Sequence, residues 1–209
     1  MKTTSVAIIT IALMAGIGMS VQAQVAAPSP AKASESVTVG DFSITVPTDW
    51  KRFTAREAAS FERQYQQQSR EIYQHFAGSD DPTKSVRVAA YHTPGTNGSF
   101  VIVAMSLPPQ ANLMPMLKEQ VEPKMQYGIQ QGFIKKYLGM VSVDRAPLTG
   151  FYTKAIGRSG NVEVSGGLEH SKKKNTIVQL TLLAPNEWKE DAAVAALETV
   201  LASVKLKDE

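Results

Sequence analysis

The stretch Phe100-Val101-Ile102-Val103-Ala104-Met105-Ser106-Leu107 decides the fold of this chain. Read with the two-residue period of a strand, Phe100, Ile102 and Ala104 fall on one face and Val101, Val103 and Met105 on the other. Both faces are apolar, and such a strand belongs at the centre of a sheet covered above and below. This one segment therefore demands three layers. Its companion is a strand over 85–92, reached through Thr93-Pro94-Gly95-Thr96-Asn97-Gly98, a run of turn-forming residues.

The last quarter of the chain, 176–207, supplies a further strand and a helix to cover the sheet. Ile177-Val178-Gln179-Leu180-Thr181-Leu182-Leu183 is an apolar strand, and Pro185 separates it from the helix. Asn186 is the expected helix cap, with Glu187, Glu190 and Asp191 in the first turns and Lys205 and Lys207 at the far end, an order that suits the helix dipole. Ala193, Val194, Leu197, Val200, Leu201 and Val204 form one apolar stripe.

The same periodicities place the other elements. Val37 to Val39, the turn Gly40-Asp41 and the alternating Phe42, Ile44 and Val46 predict a hairpin, closed by Pro47, with Trp50 packed over a sheet edge. Thr54-Ala55-Arg56-Glu57 is a capping box opening a helix to about Phe76, with Phe61, Tyr65, Ile72 and Phe76 on one face. Leu113, Leu117, Val121 and Met125 predict a helix over 112–131, and Pro123 predicts a kink or break near Glu122. Strands are expected over 133–143, 150–158, 162–169 and 176–183, with turns over 144–149, 159–161 and 172–175, as an antiparallel meander. Gly166-Gly167 within a strand predicts a bulge or a close backbone approach.

Of the 209 residues none is Cys, which excludes disulfides, thiolate chemistry and a lipidated Cys anchor. A formal net charge of +3 is too small to point to nucleic acid. Residues 1–23 have the form of a secretory signal: Lys2, an uncharged apolar run from Val6 to Val21, then Val21-Gln22-Ala23 as the cleavage pattern. A mature chain starting at Gln24 is expected. Residues 24–36, with Pro28 and Pro30 among Ala and Ser, read as a flexible tether, and 37–209 as a single domain whose structure begins near Val37.

Phe42-Ser43-Ile44-Thr45-Val46-Pro47-Thr48-Asp49-Trp50 resembles the opening motif of the PsbP/Mog1-like superfamily. The ending, an apolar strand followed by Ala184-Pro185 and a helix closing on Ala202-Ser203-Val204-Lys205-Leu206, is similar to it as well. Val141-Ser142-Val143-Asp144-Arg145-Ala146-Pro147 resembles the mid-domain strand and turn, with Arg145 where the family usually carries Gly. The resemblance implies an α+β fold, a central antiparallel sheet between helices in an α/β/α sandwich. It also implies non-enzymatic work as an extrinsic subunit, chaperone, assembly factor or small-protein partner.

The residues that carry chemistry agree with that expectation. The sequence has no G-x-S-x-G elbow, phosphate loop or dinucleotide fingerprint, and no metal-ligand spacing among His75, His92 and His170. The expected function is an exported, non-catalytic domain, periplasmic or secreted, that binds or assists another envelope protein or a small ligand, without a cofactor. One alternative is a hydrolase using Ser or Asp with His92 or His170, which needs either histidine within about 3 Å of a Ser or carboxylate in a concave pocket; a pairing of His92 and His170 across strands is also left open by the sequence. The other is a peripheral membrane-surface binder using Lys172, Lys173 and Lys174 at a hairpin tip. Candidate partner-binding residues are Tyr65, Tyr73 and Phe76 on the first helix, for their aromatic area.

Overall fold

The computed structural model describes residues 33–77, 86–106 and 113–207. The expected leader and most of the tether lie outside the described residues, as do the side chains of Tyr73, Phe76, Lys173 and Lys174. In chain order the elements are β1 (Ser34–Val39), β2 (Phe42–Pro47), β3 (Lys51–Arg52), α1 (Ala55–Ala77), β4 (Val86–His92), β5 (Ser99–Ser106) and α2 (Leu113–Gln130). They continue as β6 (Ile134–Arg145), β7 (Leu148–Gly157), β8 (Val162–His170), β9 (Lys173–Leu183), α3 (Glu190–Ser203) and β10 (Lys205–Leu206).

Seven strands form an antiparallel sheet in the order β3-β4-β5-β9-β8-β7-β6. β5 lies between β4 and β9, and every residue from Phe100 to Met105 is buried, as its two-sided apolar pattern requires. On one face, Phe100, Ile102, Val164, Leu168, Leu180 and Leu182 pack against α3 through Ala193, Leu197, Val200 and Leu201. On the other, Val101, Val103 and Met105 pack beneath α1, while Phe151 and Ala155 pack beneath α2 through Val121 and Met125. The result is the expected sandwich, with α1 and α2 side by side on one face and α3 on the other.

Several expectations are corrected. The strands form two sheets rather than one: β1, β2 and β10 make a separate three-stranded sheet on the α3 face, because Phe42, Ile44 and Val46 bury into that core and not beside β3. β1 begins at Ser34, three residues into the expected tether, since its polar residues need only backbone pairing with β2. The last helix starts after Lys189, not at Asn186, because Trp188 is drawn into the core and the Pro185–Trp188 segment is spent on a turn. It stops at Ser203, and Lys205 and Leu206 pair with Ser43 and Phe42 instead of closing the helix. α2 runs through Pro123 without a break; Pro123 and Glu119 are both exposed, so the carbonyl left without an N–H partner meets water.

The hairpin turns are also tighter than expected. β6 and β7 are joined by Ala146-Pro147 alone, whose peptide bond is cis, and β8 and β9 by Ser171 and Lys172. Of the two readings of Gly166-Gly167, close approach is the one observed. The β7–β8 register is unbroken, and a Cβ on Gly166 would collide with the Phe151 carbonyl oxygen and lie 2.6 Å from the Tyr152 Cβ.

Candidate functional site

β8 and β9 lie between the ground covered by α1 and that covered by α2, so their residues on this face line the floor of an interhelical strip. Strand alternation settles which residues these are. Val162, Val164 and Leu168 point into the α3 core, which sends Glu163, Ser165, Gly167 and Glu169 to the helix-pair face. Leu180 and Leu182 likewise send Gln179, Thr181 and Leu183 there. A strand covered on both faces would place apolar residues at these positions, but this floor carries a carboxylate, hydroxyls and an amide.

The hydroxyls form a network. Ser165 Oγ and Thr181 Oγ1 are 2.9 Å apart, and Thr153 Oγ1 donates to the Ser165 carbonyl at 3.0 Å. Tyr65 comes down from α1 to join it: its hydroxyl is hydrogen-bonded to Thr181 and lies in the field of Glu163. Burial first, and then that neighbouring carboxylate, push the Tyr65 hydroxyl up to about 12. Ser69, one turn further along α1, is also buried.

Glu163 is the unusual member. Burial pushes its carboxyl up to about 7, yet the residue keeps part of its solvent exposure. Gln179, Thr181 and Leu183 beside it on β9 keep part of their exposure as well, so the strip between the two helices is a shallow recess that water reaches. No described residue hydrogen-bonds or ion-pairs with its carboxylate. The recess is closed at one end, where Met114 and Leu117 of α2 pack into the clusters beneath both helices and the Met114 sulfur lies over Gly167. Glu163 lies at the other end. The α2 wall is set by helix geometry. Lys118 Nζ reaches Ser142 Oγ on edge strand β6 at 3.1 Å, so Gln120 and Lys124, turned from it by roughly 160° and 120°, occupy the flank toward α1. Gln120 Oε1 is buried without a partner among the described residues, and burial lowers the Lys124 ammonium from its ordinary value.

The residues singled out from sequence fall elsewhere or take other parts. Tyr65 is buried, 3% exposed, so it is a wall of the recess and not a surface contact. Lys172 is exposed at the β8–β9 turn, while Lys173 and Lys174 open β9, so the three lysines do not share one hairpin tip. His92 and His170 do not meet. His170 is fully buried on the α3 face, its Nδ1 accepting the Lys172 backbone N–H at 3.1 Å. His92 lies at the opposite end of the sheet on the other face, stacked on Phe53 at 4.1 Å and 3.3 Å from Glu57 Oε1 on exposed surface. Glu57 in turn closes the expected capping box with Thr54, which is what first holds its carboxyl below the usual range. Glu163 and His92 share a face and an end, but the register Glu163–Leu183–Ser99–His92 separates them by three strand spacings, roughly 14 Å.

Glu163 was missed because a single acidic residue within an alternating strand reads as its solvent face. The available signal was its surroundings: Ser165, Thr181 and Gln179 are polar on a face where Val101 and Val103 next door are apolar. Among the described residues no group of three or more His, Asp and Glu could hold a metal ion, and no helix is long and apolar enough to cross a membrane.

No protein-family profile and no curated protein sequence matches the chain. Among solved structures, cyanobacterial PsbP (CyanoP) from Synechocystis sp. PCC 6803 is similar over 91% of this chain and 98% of its own, with a TM-score of 0.52 and 10% identity. The Ran-binding protein Mog1p of Saccharomyces cerevisiae aligns over 84% of this chain and 96% of its own, with a TM-score of 0.43 and 12% identity. At 10% identity the likeness to cyanobacterial PsbP concerns the backbone alone, and it agrees with the sheet and its helices described above: the chain has a PsbP-like fold.

Proposed function

We propose that this chain is an exported, non-catalytic binding domain that takes up a small polar ligand in the recess between α1 and α2. The observation that carries the reading is Glu163, a carboxylate in a water-reached recess beside four hydroxyl-bearing side chains, with no described residue to satisfy it. A fold does not by itself give a function, and it is the site that supports this one. A catalytic reading lacks support among the described residues: His170 is enclosed on the far face, and His92 is engaged by Phe53 and Glu57 on open surface. Export is supported by the leader pattern of residues 1–23. The test is amide NMR on the isotope-labelled domain titrated with a panel of small polar compounds. Shifts clustering at Tyr65, Glu163, Ser165 and Thr181 support the reading, and a panel whose shifts all fall elsewhere sinks it.

A second reading, docking of another envelope protein, is supported by a separate feature. Tyr127 and Phe133 are 61% and 50% exposed at the end of α2, held within one turn by the Phe133 N–H to Gly128 carbonyl bond of 2.9 Å. Affinity capture from an envelope extract with the wild type, compared with Tyr127→Ser/Phe133→Ser, discriminates it. A specific partner lost in the double variant supports docking there.

A further inference from the structure

We infer that the recess recognises its ligand through a protonated amine, held by the Glu163 carboxylate with the Tyr65 and Thr181 hydroxyls beside it. This inference rests on the binding reading above and names the chemical class of the ligand.

Among the described residues the recess leaves two acceptors without a partner, the Glu163 carboxylate and Gln120 Oε1. All four hydroxyls have partners inside the network: Tyr65 with Thr181, Ser165 with Thr181, and Thr153 with the Ser165 carbonyl. The carboxylate of Glu163 has none among the described residues, so of the two free acceptors it is the one that can carry a charge. A carboxylate in low-dielectric surroundings is stabilised far more by a charged donor than by a neutral one, because the Coulomb energy grows as the effective dielectric falls. A neutral hydroxyl ligand would supply a hydrogen bond but leave the charge uncompensated. An anionic ligand would be repelled. An ammonium supplies both the charge and the donors, and Tyr65 and Thr181 offer oxygens for its remaining N–H groups.

The groups facing Glu163 fit this selection. From α1 the titratable neighbour is Tyr65, neutral at physiological pH. From the sheet, Glu169 shares the same face of β8 at the closed end, six residues along. From α2, Lys124 stands on the flank turned toward the recess, and burial disfavours its charge. His92 is too far across the sheet to act directly. The depth of the site limits the ligand: Met114 and Leu117 block passage beneath the helices, so the amine enters at the Glu163 end and any apolar tail must point outward or along the strip.

Proton linkage gives such binding a signature that simple charge attraction at a surface lacks. With the carboxyl titrating at about 7, it is ionised in roughly one molecule in ten at pH 6 and nine in ten at pH 8, and apparent affinity scales with the competent fraction. Affinity for an amine therefore rises about tenfold from pH 6 to pH 8.

The experiment is amide NMR titration of the domain with n-butylammonium, 1,4-diaminobutane, n-butanol and n-butyrate, which share a carbon skeleton. The expected result is that the two amines shift the amides of Glu163, Ser165 and Thr181, about tenfold more tightly at pH 8 than at pH 6. Butanol and butyrate leave them in place. Glu163→Gln keeps the shape and removes the charge, so it should preserve the wild-type spectrum and lose binding at least tenfold at pH 8. Thr181→Val is the second variant and should weaken binding less. Butanol or butyrate shifting the same amides, or undiminished amine binding by Glu163→Gln, overturns the amine assignment while the recess remains a binding site. No shift in the recess with any of the four compounds overturns the amine assignment by itself. The wider compound panel then decides whether the binding reading falls with it.

Discussion

Glu163 makes stability depend on pH in a direction opposite to most carboxylates. Its carboxyl is raised from an ordinary 4.5 to about 7 by burial, so between those values the folded protein binds a proton that the unfolded chain releases. The contribution is fully present below pH 4.5 and is lost as pH rises through 7. The full displacement corresponds to about 3 kcal/mol, at about 1.4 kcal/mol for each tenfold in proton affinity. Because the residue is partly exposed, solvent screening reduces this to the order of 1–3 kcal/mol. Glu163→Gln abolishes the titration and keeps the hydrogen-bonding outline. Urea unfolding of both proteins at pH 5, 6, 7 and 8 measures the difference. The variant should match the wild type near pH 5 and gain on it by about 1–3 kcal/mol by pH 8. A wild-type-to-variant difference that stays flat across that range refutes the burial of this carboxyl and removes the basis of the recess.

Other consequences are more local. Gly166→Ala drives a Cβ into the Phe151 carbonyl oxygen and to 2.6 Å from the Tyr152 Cβ, so it should lower stability by about 3 kcal/mol or more, a fall of roughly 6–12 °C in Tm by calorimetry. Gly157→Ala, whose Cβ would meet only the Asn161 oxygen at 3.8 Å, should stay within about 1 kcal/mol. Tyr152→Phe removes the hydroxyl that donates to Glu198 Oε1 at 2.7 Å, a loss of about 1 kcal/mol in urea unfolding, and the loss should vanish in a Glu198→Ala background, which lacks the acceptor, if the pair acts alone. Intact-mass measurement on exported protein should give a chain beginning at Gln24, and a mass retaining Met1 would refute the cleavage.

Much of the architecture was legible because it depends on periodicities that neighbours cannot easily override. The two-sided burial of Phe100 to Met105, the Gly40-Asp41 turn and the Thr54–Glu57 capping box appear where the sequence put them. The misjudged boundaries lie where a long-range contact competes with a local preference. Asn186 is a good cap by itself, but its backbone N–H is taken by the Thr96 carbonyl and Trp188 is pulled into the core, so the helix begins later. Lys205 and Leu206 could have continued the helix, and pairing with β2 won. The recess was illegible for the same reason. Glu163, Ser165, Thr181 and Tyr65 are spread over more than a hundred positions, and only the register of β8 on β9 and the reach of Tyr65 from α1 bring them together.

By itself, then, the sequence determined the central strand, the presence of covering layers, the absence of thiol chemistry and the expectation of export. Each of these comes from local pattern or composition, which no fold can change. The tertiary structure alone decided that the strands divide into two sheets, that His92 and His170 stand apart, and that Glu163 lies in a recess with no partner among the described residues. Those are facts about which distant surfaces share a buried volume, and the energy of a carboxylate depends on that volume rather than on its neighbours along the chain.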